Sequence, residues 1–254
     1  MLETLKTFIH QGKQYISDPM KNKLPEMFPG RPVIMSHDCS NTCTVCDSVC
    51  PVNAITKRPV SIDTGSCIFC QECENLCPVK KIVFTNEFRL ASNSKENLVI
   101  SEGSDIYKLF DPDKVRKEVI RAIGRSLKLR LVSAGSCNGC EWELNAAGNV
   151  NFDMGRWGIE FVASPRHADG IVVTGAIVEN SLEAIRITYE AIPSPKIFVL
   201  AGACAVSGGL YKNSPAVKRE FLENYSPDLY IPGCPPHPLT VINGLLELIK
   251  AGMR

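Results

Sequence analysis

The sequence lacks a dominant charge, an apolar run of membrane length and a leftover cysteine. With 28 Lys and Arg against 27 Asp and Glu, its formal net charge is +1, which argues against the broad phosphate-neutralising surface of a nucleic-acid-binding protein. The longest uncharged stretch, Ile197 to Tyr211, is broken by glycines, a serine and a cysteine. It falls short of the ~20 residues a spanning helix needs, so no transmembrane segment is expected. The start, Met1-Leu2-Glu3-Thr4-Leu5-Lys6, meets an acid early and has no apolar core of secretory length. No signal peptide is therefore expected, and the chain is expected in the cytoplasm. Thiols in that reducing compartment stay free or bind metal rather than forming disulfides.

What the sequence does have is 12 cysteines in 254 residues, and they sort into three sets of four. Two sets are compact: Cys39, Cys43, Cys46, Cys50, then Cys67, Cys70, Cys73, Cys77. The third is dispersed, as Cys137, Cys140, Cys204 and Cys234. A shift of 27 positions lays Cys43, Cys46 and Cys50 onto Cys70, Cys73 and Cys77, and Cys50-Pro-Val-Asn-Ala-Ile onto Cys77-Pro-Val-Lys-Lys-Ile. Such a repeat reads as two copies of a metal-binding loop and short helix. Few large apolar side chains accompany it, so metal bonds must replace missing core. Two, two and three intervening residues followed by proline is the bacterial ferredoxin run, in which the fourth cysteine crosses to the other cluster. This assigns Cys39, Cys43, Cys46 and Cys77 to one [4Fe-4S] cluster and Cys67, Cys70, Cys73 and Cys50 to a second. Pro51 and Pro78 turn the chain away after each crossing ligand. Paired four-thiolate zinc sites are the competing reading, and the first run departs from the pattern by carrying three residues between Cys39 and Cys43.

The expected organisation has four parts: an amphipathic, partner-packing segment over 1–30, a ferredoxin unit over 31–105, a basic linker helix over 106–126, and a third unit over 127–254. Leu2, Leu5, Phe8, Ile9, Ile16 and Met20 supply the apolar face of the first. Lys114, Arg116, Lys117, Arg121 and Arg125 make the linker basic, and a solvated face explains such a run. Beyond it, Leu127–Ser133, Ile159–Ala163, Ile171–Thr174, Ile197–Leu200 and Leu229–Ile231 are short apolar runs suited to a buried, mostly parallel sheet. Leu182, Ile185, Tyr189 and Ile192 recur at helical spacing, and Pro238 can start a last helix. The fold class is thus an α+β ferredoxin-like N-terminal domain followed by an α/β flavodoxin-like domain. Open α/β sheets bind ligands beyond the carboxyl ends of their strands, which is where Cys137, Cys140, Cys204 and Cys234 fall. Gly135, Gly139, Gly202, Gly208, Gly209 and Gly233 flank them, either to bring backbone N–H groups close to sulfur or to serve turns.

Two resemblances rest on these residues. Leu24-Pro-Glu-Met-Phe-Pro-Gly-Arg-Pro, the two cysteine runs and Asn86-Glu-Phe-Arg-Leu-Ala-Ser resemble the two-cluster ferredoxin subunit of complex I and of membrane-bound hydrogenases. Gly135-Ser-Cys-Asn-Gly-Cys-Glu-Trp-Glu, Ser164-Pro-Arg-His-Ala-Asp, Gly202-Ala-Cys-Ala-Val-Ser-Gly-Gly and Pro232-Gly-Cys-Pro-Pro-His-Pro resemble the small subunit of NiFe hydrogenases of the energy-converting, formate-hydrogenlyase type, related to the complex I 20 kDa subunit. The two residues between Cys137 and Cys140 favour hydrogenase, since the complex I relative has these cysteines adjacent. The resemblance implies an electron-transfer subunit with three [4Fe-4S] clusters, a NiFe large subunit as partner, an electron-donor protein, and membrane subunits that would hold the chain peripherally at the inner membrane face. It implies a proton-relay role for Glu143, with a helix-surface role as the alternative. A quinone- or sulfur-reducing complex without hydrogenase activity is the other reading. His167 and His237 read as structural or surface histidines, with hydrogen-bond donation beside the cluster as the alternative, and Arg166 as a residue of the partner interface with no catalytic role.

Overall fold

The computed structural model describes residues 2–40, 42–104, 109–124 and 126–253. Asp105, which closes the expected ferredoxin unit, and residues 106–108 and Arg125 of the expected linker lie outside the described residues, as do Met1, Asn41 and Arg254. In chain order the elements are α1 (Leu2–Gln11), β1 (Pro32–Ile34), α2 (Val45–Val49), β2 (Ile55–Lys57), β3 (Val60–Asp63), α3 (Glu72–Asn75), β4 (Ile82–Phe84), β5 (Val99–Ser101) and α4 (Lys117–Ile123). There follow β6 (Leu127–Ser133), α5 (Gly139–Ala146), β7 (Ile159–Phe161), β8 (Gly170–Thr174), α6 (Glu179–Ala191), β9 (Ile197–Ala201), α7 (Ala203–Ser207), α8 (Phe221–Asn224), β10 (Leu229–Ile231) and α9 (Pro238–Met253).

The C-terminal half is built on a parallel sheet of order β10-β9-β8-β6-β7. β8 and β9 are buried along their whole length, because successive side chains serve opposite cores. Ile197, Val199 and Ala201 point to the core under α9, with Val241, Ile242 and Leu245. Phe198 and Leu200 point to the other, with Ile185 of α6 and Phe221. This is the flavodoxin-like order, whose reversal between β6 and β8 opens a crevice at their carboxyl ends.

The cysteine-rich part has little sheet of its own. β1 pairs with β4, and β2, β3 and β5 form a second antiparallel sheet. Its core sets Ile34, Ile55, Ile62, Ile82 and Phe69 against the thiols of Cys67 and Cys73. The 27-residue repeat is a repeat of conformation: Asn53 and Lys80 both take positive φ, 51° and 50°, and their N–H groups donate to the Cys50 and Cys77 carbonyls at 3.2 Å each. One residue on, Ala54 N–H donates to Cys50 Sγ at 3.2 Å and Lys81 N–H to Cys77 Sγ at 3.3 Å.

The two parts share a wall. Ser92 and Tyr230 exchange main-chain hydrogen bonds at 3.0 and 2.8 Å, Thr240 Oγ1 donates to the Phe88 carbonyl at 2.9 Å, and Leu98 lies inside the α6 core. Among its described residues the basic segment forms a short 3-10 turn over Pro112–Lys114 and an α-helix over Lys117–Ile123; Val115, Val119 and Ile123 are buried in the α9 core, and Arg116 Nε holds Asp228 Oδ1 at 2.6 Å. At the N-terminus the expected apolar face divides. Leu2, Leu5, Phe8 and Ile9 of α1 are exposed, Phe8 by 73%. Beyond the helix, Ile16 N–H donates to the Asn151 carbonyl at 2.8 Å and Met20 packs on the α9 core. Among the described residues no helix is long and apolar enough to cross a membrane.

Candidate functional site

Three groups of thiols are electrostatic neighbours, and each joins cysteines that are distant in sequence. Cys39 is raised by burial and then by Cys43 and Cys77, against a lowering influence of Lys81; Cys46 is raised by burial, Cys77, Cys39 and Cys43. The second group is tighter. Burial first pushes Cys67 and Cys73 up to about 12, with Cys50 and Cys70 among the repelling neighbours of both. Beside the first group lies a cavity of about 220 Å³ lined in part by Cys39, Cys43, Cys46, Lys57, Lys81 and Glu102. Lys81 is 7% exposed and its ammonium donates to the Met35 carbonyl, to the His37 carbonyl at 2.7 Å and to Glu102 Oε2 at 3.2 Å.

The third group sits at the carboxyl rim of the parallel sheet. Ser133 and Thr174 end β6 and β8 side by side, and the loops beyond them touch. A Cβ on Gly175 (φ +80°) would stand 1.8 Å from the Gly135 carbonyl oxygen, so only glycine closes that crevice. Cys137 and Cys140 follow β6, Cys204 follows β9 on α7, and Cys234 follows β10. Burial pushes Cys140 up to about 12, with Glu141, Cys204, Cys234 and Cys137 adding to it. Cys204 is raised by burial, although a hydrogen bond from Ser136 opposes the rise. The flanking glycines serve turns and close approach, and the Gly202 N–H is spent on the Ile231 carbonyl at 2.8 Å. A Cβ on Gly202 would come within 2.4 Å of Cys140 Sγ, so that glycine leaves room for a sulfur, and Gly202, Gly135, Gly208 and Gly233 all carry positive φ.

The donor sets fit a multi-iron centre. Buried thiols that repel one another ionise when a positive centre binds among them, and four thiolates are the ligand set of a [4Fe-4S] cluster. Among the described residues no three His, Cys, Asp or Glu are arranged to hold a single ion; a cluster, whose ligands bind different irons, makes no such demand.

Other residues divide around this rim. Glu141 accepts a hydrogen bond from Thr174 Oγ1 at 2.7 Å, and Thr174 is fully buried. Glu143 is partly buried on α5, and burial raises its carboxyl; its neighbour Trp142 is 72% exposed. Of Ser164-Pro-Arg-His-Ala-Asp, the aspartate is fixed at the amino ends of β6 and β8: Asp169 N–H donates to the Lys128 carbonyl at 2.6 Å and Asp169 Oδ2 accepts from Lys128 N–H at 2.7 Å. His237 opens α9 with its ring edge-on to Phe28 and Phe152 at 5.3 and 5.5 Å. Its Nδ1 accepts from Leu239 N–H at 3.1 Å, and burial lowers its pKa. Lys81 and Arg219 escaped the sequence reading. The only signal for Lys81 was its place four residues after Cys77, where the first repeat carries Ala54; Arg219 sits in no motif.

Residues 137–248 match the family described as NADH ubiquinone oxidoreductase, 20 kDa subunit. A probable membrane-bound hydrogenase subunit of Pyrococcus furiosus is 39% identical over 133 residues, 52% of this chain and 80% of the relative. An NADH-quinone oxidoreductase subunit of Citrifermentans bemidjiense is 43% identical over 109 residues, 43% of this chain and 64% of the relative. A chain in the structure of the membrane-bound sulfane sulfur reductase, an archaeal respiratory membrane complex, aligns with TM-score 0.46 at 30% identity, covering 54% of this chain and 76% of that one. All four cysteine positions of the sheet rim fall inside the matched residues, and with most of an archaeal hydrogenase subunit covered, the chain belongs to the NADH ubiquinone oxidoreductase 20 kDa subunit family.

Proposed function

We propose that this chain is the electron-transfer subunit of a multi-subunit oxidoreductase and holds three [4Fe-4S] clusters. Its ligands would be Cys39, Cys43, Cys46 and Cys77; Cys67, Cys70, Cys73 and Cys50; and Cys137, Cys140, Cys204 and Cys234. The observation that carries the reading is the mutual proximity of thiols within each set, including the exchange of Cys50 and Cys77 between the two repeats. When bound, such clusters supply one-electron carriage. The chain's own part is to bury the ligands, direct N–H groups at their sulfurs and place charges around them. The division proposed is a packing segment over 1–30, a ferredoxin-like unit over 31–105, a basic linker over 106–126 and a hydrogenase small-subunit-like unit over 127–254.

The finer proposal is an energy-converting NiFe hydrogenase. The NiFe site would belong to a large subunit, a donor protein would supply electrons, and complex I-like membrane subunits would hold the cytoplasmic chain at the inner membrane face. Glu143, its carboxyl raised by burial, is the proposed proton relay towards that partner. The 43% identity to a quinone oxidoreductase subunit favours a second reading, an equivalent subunit in a quinone- or sulfur-reducing complex. Iron and acid-labile sulfide analysis of the anaerobically purified protein tests the core reading: about twelve of each per chain is expected, and zinc in their place overturns it. Nickel content and hydrogen-dependent dye reduction by the intact complex separate the two finer readings, since only the hydrogenase shows both.

A further inference from the structure

The helix that carries Cys204 is held from outside by a cation. α7 spans only Ala203–Ser207, so most of its carbonyls lack intrahelical partners. Arg219, which follows in an irregular stretch, donates to three carbonyls here: Nη1 to that of Cys204 at 3.3 Å, which also accepts from Gly208 N–H at 2.8 Å, and Nη2 to those of Ala205 and Val206 at 2.8 and 2.9 Å. Among the described residues no carboxylate pairs with this guanidinium, and burial alone perturbs it, lowering its pKa. A desolvated cation whose partners are all neutral is costly unless negative charge lies nearby. The main chain it grips is that of a cysteine, and Cys137, Cys140 and Cys234 share that cysteine's neighbourhood.

We infer that Arg219 is a fixed counter-charge for the centre held by Cys137, Cys140, Cys204 and Cys234, held in place by the main chain of α7 and raising the centre's reduction potential by its charge. The inference rests on the proposed cluster at those four cysteines. Reduction adds one negative charge to such a centre, and a nearby guanidinium in a region of low dielectric favours the more negative state. A purely mechanical clamp would instead act through hydrogen bonds, and the two roles separate on substitution. Lysine keeps the charge but cannot span three carbonyls, whereas glutamine keeps a donor and loses the charge.

The test is an EPR-monitored redox titration of the full-length iron-loaded protein as wild type, Arg219→Gln and Arg219→Lys. Arg219→Gln is expected to cut the reduced-to-oxidised ratio of the third centre about tenfold at the wild-type midpoint, a fall of about 59 mV for one electron. Arg219→Lys should stay near wild type, and the two N-terminal signals should not move in either. Equal shifts in both variants, or no shift in either, overturn the inference. If Arg219→Gln assembles no third centre, Arg219→Lys decides: assembly at the wild-type potential upholds the need for charge, and failure to assemble shows a clamp. A wild-type protein without a third signal instead sinks the cluster reading itself, while a normal signal indifferent to Arg219→Gln sinks only this inference.

Discussion

Charges placed within reach of the thiols have opposite signs at different sets, and their removal has predictable direction. Lys81 is buried beside the first set, with three oxygen acceptors on its ammonium. Lys81→Met takes away a cation together with its partly buried hydrogen bonds to the Met35 and His37 carbonyls, each worth about 1 kcal/mol. The expected outcome is a less stable N-terminal part and a lower potential for the first centre, read by EPR titration with the third centre as internal reference. Glu141 works the other way. Its carboxylate adjoins Cys140, fixed by the hydroxyl of buried Thr174, so Glu141→Gln should raise the third centre's potential, and Thr174→Val, which frees the carboxylate to turn towards water, should shift it in the same direction by less. An unmoved potential in Glu141→Gln would remove the carboxylate from the centre's electrostatics. At Gly202 the constraint is steric. A methyl 2.4 Å from Cys140 Sγ must displace that sulfur, and Gly202→Ala should lose iron from the third site while the N-terminal sites stay loaded.

Elements differ in how much of their placement local pattern determines. Phe198 shows what the parallel sheet contributes: it is fully buried on β9 with Tyr189 and Phe221 edge-on at 6.0 and 5.5 Å, so Phe198→Ala should cost about 3–5 kcal/mol in chemical denaturation. Leu229–Ile231 was readable to the residue as a continuous apolar run, and Leu127–Ser133 from apolar residues that alternate with Lys128 and Arg130. The rim position of the dispersed cysteines followed from the same pattern. The linker was less legible: its basic residues suggested a solvated helix, but Val115, Val119 and Ile123 are the positions that fix it against α9, and a three-residue apolar signal in a charged run is weak. The stretch around Glu87 entered only through its resemblance to a ferredoxin subunit, because its role is a tertiary seam that no local pattern encodes. Burial pushes the Glu87 carboxyl up, but hydrogen bonds and charge from Arg89 outweigh this and hold it below the usual range. A carboxyl depressed in the folded state adds stability above its unfolded value of about 4.3 and loses it as pH falls through the lower folded value. Glu87→Gln should therefore unfold more easily at pH 7, by about 1 kcal/mol after allowing for solvent screening. The two proteins should converge on acidification below pH 4, and a constant difference down to pH 2 would show that the carboxylate's charge is not the source.

At the scale of the whole molecule, the cysteine-rich part is seated on the sheet by a contact with no room to spare. Gly65 precedes the second cysteine run; a Cβ there would lie 2.9 Å from both Leu98 Cδ1 and Val206 Cγ1, and those side chains are 0% and 1% exposed. Val206 belongs to α7, the helix of Cys204, so Gly65 sets how closely the second thiol set approaches the third. A second tie crosses nearby, from the Lys212 ammonium to the Val52 carbonyl. Leu98 and Val206 both belong to the core under α6, so this seam is where that core receives the cysteine-rich part, while the core under α9 and the small core around Ile62 and Phe69 lie to either side of it. Overpacking at such a site costs about 1–3 kcal/mol, and the cost falls where the cysteine-rich part meets the α6 core. Gly65→Val should accordingly split a single calorimetric unfolding transition into two, the lower belonging to the cysteine-rich part, and should weaken the magnetic interaction between the second and third centres while both remain loaded. Gly65→Ala should do the same to a smaller degree. A uniform drop of one undivided transition would mean that the two parts fold as a single cooperative core, with Gly65 one tight contact among many.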